Sequence, residues 1–434
     1  MDVRAFRALR VRSDLAKDVA SLPYDVMNRN EAKSMAAQQR FSFLHIVRAE
    51  IDLPDGVEEG APEVCQQAAE TLRRYEREGI FCLEDEPAFY LYRLTFNGRS
   101  QTAILAAFAI DDYLAGRIRR HEMTRAAKEE DRIRHFEACE AQTAPIFLTY
   151  RQRDAVRTLL AQAWSVSAAE TDFIGPGGVR QELRAVRDPV LGAALQTELR
   201  ALPRLYIADG HHRMASAARV GLRRRERRMA AAPDARPYAS DYVMAAAFPD
   251  EELRIYPYHR LVRDLADLAP SDFLLRVRAV ASAFEGPCGA AVQPERAGDF
   301  GLLLDGTWYR FHLSGSGADA RSDASGERCG ALLRNLDVSL LQEQILEPIL
   351  GIHDPRRDPR LDFVGGIRGT AELERRCHED MRLAFSCCPT SMAELLAIAD
   401  AEGLMPPKST WFEPKLLSGL LIYPYRDSVL HPAF

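Results

Sequence analysis

The chain lacks the marks of a membrane protein or an oxidised one. No run approaches the roughly 18 apolar residues of a membrane span. Residues 1–20 alternate charged and short apolar residues and do not form the continuous apolar segment of a signal peptide. The eight cysteines, at 65, 82, 139, 288, 329, 377, 387 and 388, form no CxxC, and adjacent Cys387-Cys388 would make a strained bridge. Reduced thiols in the cytoplasm are the simplest account, without a cysteine-based metal centre. Nucleotide-loop signatures are missing as well: there is no GxxxxGK(S/T) and no GxGxxG, so neither P-loop nor Rossmann binding is supported. No HExxH is present, and adjacent His211-His212 point in different directions, which does not suit a shared zinc. Net charge is only −6, which argues against a general nucleic-acid binder. No internal repeat is visible.

What remains is a long chain of ordinary soluble balance. At 434 residues it exceeds one hydrophobic core, so two domains are expected, 1–257 and 258–434. Hydrophobic residues are 47% and charged residues 28%, as in globular proteins. Strand and helix patterns alternate, which reads as α/β (α+β). The pattern predicts a helix over 61–79 ending at Gly79 and a hairpin of 89–96 with 101–109 across Asn97-Gly98. It predicts one charged helix over 111–140, a strand at 145–150 and a hairpin over 172–187. Residues 223–237 read as a surface loop or helix end, and 241–248 as a buried strand. In the second region, 300–313 reads as a hairpin across Asp305-Gly306 and 336–350 as an apolar helix. The alternation continues with strands at 361–364 and 383–386 and helices from 370 and over 391–402. Residues 314–330 read as a disordered loop.

The most informative stretch is 205–213. An apolar run ends in Asp209-Gly210, a turn signal, and Met214, Ala215, Ala217 and Ala218 have helix composition. A buried strand should stop, turn tightly and open a helix at His211, His212 and Arg213. Free backbone N–H groups and the positive end of the helix dipole lie at such a start, which suits phosphate. The plain alternative is a corner whose polar residues only cap it.

Three other groups could carry chemistry. On a helix, His121, Arg125, Lys128 and Arg132 would share one face, with Glu122 beside them as a general base; the alternative is a solvated helix laced with salt bridges. The Pro23-Tyr24-Asp25-Val26 turn stands with 42–48, where His45 sits in an apolar strand as a core histidine or a ligand. Pro406-Pro407 fixes a rigid turn that projects Lys408 beside Ser409 and Thr410, toward a phosphate or as a strand cap. The basic run 219–228 could touch DNA or simply be solvated.

The segments PYDV, SFLHIVRAEIDLP, YLYRL…GRSQT, RRHEMTRAAKEEDRIRH, APIFLTY, YIADGHHRMASA, LDFVGGIRG and MPPKSTWFEPK resemble the bacterial and archaeal family known as domain of unknown function 1015. The resemblance spans about residues 5–425. The chain departs from the family's usual Asn-Pro at Arg40-Phe41, its Arg-Pro-Glu at Arg48-Ala49-Glu50, and its glycine at Ala103. The DGHHR element is also similar to the helix-start motif of the ParB/sulfiredoxin superfamily. His211 stands where sulfiredoxin has its cysteine, which disfavours sulfinic-acid reduction.

That resemblance implies a ParB/sulfiredoxin-like nucleotide-binding core followed by a C-terminal α/β region. The free-serine kinases of the superfamily carry the same motif, which implies phosphoryl transfer from ATP or ADP to L-serine. In that reading Asp209, Gly210, His211, His212 and Arg213 hold the nucleotide, and Mg²⁺ bridges its phosphates near Asp209. Glu122 is the base, with His121 or Arg125 steadying the transferred group. Arg48, Glu50, His45 and Lys408 are the substrate-binding candidates. The partners are then a nucleotide and an amino acid, without membrane or nucleic acid, and a homo-oligomer stays open. The rival is a non-catalytic ParB-like nucleotide-binding module that contacts DNA.

Overall fold

A computed structural model describes residues 1–231, 237–315, 325–426 and 430. The fold is mixed α/β, with parallel and antiparallel pairings in its largest sheet. Two compact units divide the chain. The first comprises residues 1–119, 124–253 and 414–434; the second comprises 120–123 and 254–413. The expected cut at 257/258 is corrected in two places. Leu421–Pro424 pairs with Leu9–Val11 and with Ala141–Gln142, which binds the C-terminal stretch to the first unit. Residues 120–123 belong to the second, where Met405 N donates to His121 O at 2.7 Å.

The first unit is built on a nine-stranded sheet. Across it run Ile118–Arg119, Leu205–Asp209, Ile146–Tyr150, Tyr242–Pro249, Arg99–Ala109, Phe89–Phe96, Arg180–Val186 and Ala169–Ile174, with Val3–Arg4 also pairing with Arg99–Ala109. The expected hairpin forms because Asn97 (φ 50°) and Gly98 (φ 74°) take the two left-handed positions its turn requires. Tyr242–Pro249 is buried throughout, and its alanines at 245–247 leave room for close packing. The His211–Ala231 helix comes nearest at Gly221, where a Cβ would sit 2.3 Å from Ser240 O. Ile104, Leu148, Leu195, Ile207, Met214 and Val243 are among the side chains that fill this core.

The second unit carries a six-stranded antiparallel sheet. Its order is Ala283–Cys288, Thr307–His312, Asp299–Leu304, Leu383–Cys387, Tyr258–Val262, Leu361–Gly365. The Asp305-Gly306 turn again has two positive φ values, 47° and 78°.

Several expectations are corrected. The single helix over 111–140 is interrupted: Ile110–Leu114 ends at Gly116 (φ 71°), Ile118–Arg119 pairs with Leu205–Asp209, and helix resumes only at Ala126–Cys139. His45 is not on a strand but in the short helix Leu44–Val47, one turn that is otherwise buried and apolar. Of the loop expected at 314–330, residues 316–324 lie outside the described residues, while 325–334 is helical. The tail of the 223–237 segment, 232–236, lies outside them too, and its start continues the His211–Ala231 helix.

Candidate functional site

In the first unit the strand–turn–helix at 205–213 forms as expected. The Leu205–Asp209 strand shifts register against Ile146–Tyr150 between Ile207 and Asp209. Gly210 then turns the chain at φ 94°, and Met214 N closes the first helical turn onto Gly210 O at 2.9 Å. A Cβ at 210 would lie 3.0 Å from the Arg213 guanidinium, because that side chain folds back over the turn. Arg213 is buried; it donates to Pro145 O and, at 3.3 Å, to Asp209 Oδ2. Lys415 Nζ also approaches Asp209 Oδ2, at 3.8 Å. Arg213 and Asp209 therefore brace the corner.

His212 is different. Its Nδ1 is sealed from solvent and finds no hydrogen-bond partner among the described residues. Burial pushes its pKa down, and the charges of Lys128 and Arg125 push the same way, against Asp25 and Glu129. The N-terminus of this 21-residue helix, with Lys128 and Arg125 acting on the His212 ring, is suited to a negatively charged group.

Asp25, Arg125, Lys128 and Glu129 act on His212, and Arg132 and Arg213 act on Tyr24. Arg125 is the N-cap of Ala126–Cys139 and takes extended φ/ψ, so it and Lys128 sit at that helix's start. Arg132 is buried, with its guanidinium 4.2 Å from the Tyr24 ring centroid. Burial pushes the Tyr24 hydroxyl up to about 12, and the charges acting on it are Asp25, Asp131, Arg132 and Arg213. Arg48 Nε lies 2.7 Å from Glu50 Oε1 and Arg48 Nη2 lies 2.8 Å from Glu59 Oε1. The Arg48 Nε–Glu50 contact is an ion pair without hydrogen-bond alignment, since both atoms lack a bond partner. Burial raises the Glu50 pKa, opposed by Arg48 and Arg132. His45 is held by Asp52 at 2.8 Å. Glu129 pairs with Arg219 at 3.3 Å and accepts from Thr124 Oγ1. Sequence reasoning missed Asp25 and Lys128 as neighbours of His212, and Lys415 as a partner of Asp209. The only signal for them was membership of the quoted motifs PYDV, HEMTRAAK and FEPK.

In the second unit His121, Glu122 and the 406–410 turn come together, a convergence that their sequence separation hides. His121 is buried and its Nε2 lies 3.3 Å from Thr410 Oγ1. The turn is locked by Ser409 Oγ donating to Pro406 O at 2.6 Å and Thr390 Oγ1 donating to Ser409 O at 3.1 Å. Glu122 is half-buried and lines a cavity of about 350 Å³ with Ser339, Arg334, Glu343, Arg356 and Pro406. The cavity thus offers carboxylates and guanidinium groups together.

Among the described residues no cluster of three His, Cys, Asp or Glu side chains is set to hold a metal, and no helix is long and apolar enough to cross a membrane. The basic run is largely paired. Arg219 and Arg223 meet Glu130, Arg225 meets Asp111 and Asp241, and Arg228 meets Asp241.

Fold and site together define a two-unit mixed α/β protein with an anion-suited strand–helix corner. The chain belongs to the family described as "Protein of unknown function (DUF1015)", whose profile matches residues 3–339. No curated protein matches the chain. Among solved structures it is similar to a free serine kinase variant in complex with ADP, at 11% identity and a TM-score of 0.32, covering 71% of this chain and 87% of that one. It is similar to SbnI with C-terminal truncation from Staphylococcus aureus, at 12% identity and a TM-score of 0.36, covering 73% and 86%. A conserved hypothetical protein from Pyrococcus furiosus matches at 13% identity and a TM-score of 0.29, covering 71% and 90%. Identity this low and superposition this loose carry no residue correspondence.

Proposed function

We propose that the chain is a small-molecule kinase that transfers phosphate from ATP or ADP to the hydroxyl of free L-serine, giving O-phospho-L-serine. The observation that supports this most is the start of the 21-residue His211–Ala231 helix after the Gly210 turn, where Lys128 and Arg125 act on the His212 ring. The terminal nucleotide phosphates are assigned to that start, on the backbone N–H groups that follow Gly210 and on His211 and His212. Arg213 is assigned to holding the turn. Phosphoryl transfer asks mainly for charge neutralisation and positioning, which this corner can supply.

Glu122 is assigned as the base. Its assigned part is to accept the serine hydroxyl proton; in the transfer the serine oxygen bonds to the terminal phosphorus and the bond to the departing nucleotide breaks. The cavity it lines suits a zwitterion: Arg334 or Arg356 for the carboxylate, Glu343 for the ammonium. Arg48 and Glu50, candidates from sequence for the same jobs, are already engaged with each other and with Glu59. Asp209 is engaged by Arg213 and Lys415, and none of the roles above rests on a resident metal. The DNA-binding alternative gains no support from the basic run, where Arg219, Arg223, Arg225 and Arg228 form ion pairs within the unit.

The test is purified chain with ATP or ADP, Mg²⁺ and L-serine, with products read by mass spectrometry. O-phospho-L-serine is expected, and Glu122→Gln should keep nucleotide affinity while turnover falls about 10²–10⁴-fold. Equal nucleotide consumption with and without L-serine would end the serine-kinase reading.

A further inference from the structure

Arg260 is a buried cation set into an apolar surface. It lies in the middle of Tyr258–Val262, between Phe363 on one neighbouring strand and Phe385 on the other. Alternation puts Tyr258, Arg260 and Val262 on one face. Val262, Leu361, Leu383, Phe385 and Cys387 belong to one hydrophobic core cluster, and Arg260 sits among those strands at 4% exposure. Among the described residues no carboxylate pairs with it. Nη1 donates to Tyr258 O, and the guanidinium carbon lies 5.0 Å from the Phe363 ring centroid. Nε and Nη2 make no protein bond among the described residues, yet they are not among the sealed orphan atoms, so they keep contact with the outside. An isolated buried charge is costly, and such groups are usually paired.

The surroundings are built. Lys408 Nζ lies 5.4 Å from the Tyr258 ring centroid. Trp411 meets that ring edge-on at 5.1 Å, and Phe363 meets it at 6.1 Å. Trp411 lies against Gly365, where a Cβ would be 2.7 Å from the indole. Three separate stretches of the second unit, 256–260, 361–369 and 405–413, thus meet at one place, and the proposed phosphate corner uses none of the residues named here.

We propose that Arg260, bonded to the Tyr258 carbonyl, and Lys408, over the Tyr258 ring, form an oxyanion subsite of the second unit that takes the carboxylate or phosphate group of a small molecule. The guanidinium supplies its Nε and Nη2 nitrogens as donors and the ammonium a second positive charge, while the aromatic rings limit water around them. The subsite is carried by Arg260's burial without a counter-ion, so it does not depend on the kinase reading.

Calorimetric titrations of the full chain with inorganic phosphate, acetate and L-serine test it. At least one should bind, and Arg260→Met should weaken that binding roughly 10- to 150-fold, the span of a lost charge-assisted bond. The same substitution should leave the ligand-free melting temperature unchanged or raised, since an apolar isostere replaces an unpaired charge. Lys408→Ala, at an exposed position, should weaken binding in the same direction. Phosphate alone binding assigns phosphoesters, and acetate or L-serine assigns carboxylates. His212→Ala should retain this binding even if it abolishes nucleotide affinity, which separates failure here from failure of the kinase reading. Should none of the probes bind, or should Arg260→Met titrate like the parent while melting lower, the subsite is refuted. If Arg260→Met does not fold, an unchanged affinity in Lys408→Ala refutes it.

Discussion

His212 carries a proton-linked prediction of its own. Its pKa is depressed chiefly by burial, so the ring enters binding neutral at pH 7. A phosphate beside it would favour the imidazolium, and nucleotide binding would then take up a proton. Affinity for ADP should tighten as pH falls from 7 toward 5, and calorimetry in buffers of different ionisation enthalpy should show the uptake. His212→Ala should erase that pH dependence. The folding sign is opposite. A histidine whose folded pKa lies below its unfolded value loses stability as pH drops below about 6.5. Arg213→Ala now has a different expected effect from the one sequence alone suggests. It removes two hydrogen bonds that brace Pro145 and Asp209, one of them charge-assisted at both ends. A stability loss of about 1.5–3 kcal/mol is expected in denaturant titration, with nucleotide affinity falling only as the turn loosens.

At the scale of the element, the 205–213 corner was legible because each of its parts has a local cause. An apolar run, an Asp-Gly turn and helix-forming residues follow one another within one short stretch. Gly210→Ala tests the turn: φ 94° is strained for any L side chain and the new Cβ would press on the Arg213 guanidinium. A cost of about 1–3 kcal/mol is expected from chemical denaturation. The two hairpins at Asn97-Gly98 and Asp305-Gly306 were legible for the same local reason. The helix expected across 121–132 was not, because what breaks it is distant in sequence. Met405 N holds His121 O, and Ile118–Arg119 is taken by the Leu205–Asp209 strand. Helical periodicity of the charges at 121, 125, 128 and 132 cannot report either contact. The same holds for the meeting of His121 with Thr410, which sequence separates by 289 positions.

For the molecule as a whole, the two-domain expectation missed only the returns of the chain, and those have consequences. Leu421–Pro424 lies between Leu9–Val11 and Ala141–Gln142 in a four-stranded sheet, and Tyr423 OH donates to Ala239 O at 3.0 Å. A chain ending at Glu413 should therefore lose the first unit, not merely its edge. Hydrogen exchange should rise across 1–119 and 124–253 while 254–413 keeps its protection; protection retained in both would show the returning segment to be dispensable. The same path sets an order of events at the ribosome. Everything the second unit needs has been made by Glu413, while the first unit still waits for the strand at 421–424. At roughly 5–20 residues per second, the interval between the emergence of Arg254 and that of the closing strand is roughly 8–30 s. For that time all nine strands of the large sheet are already made, while the four-stranded sheet still lacks Leu421–Pro424 between Leu9–Val11 and Ala141–Gln142. A nascent first unit that still lacks 414–434 is exposed for that interval, so slow codons downstream of Arg254 would change the yield of folded protein.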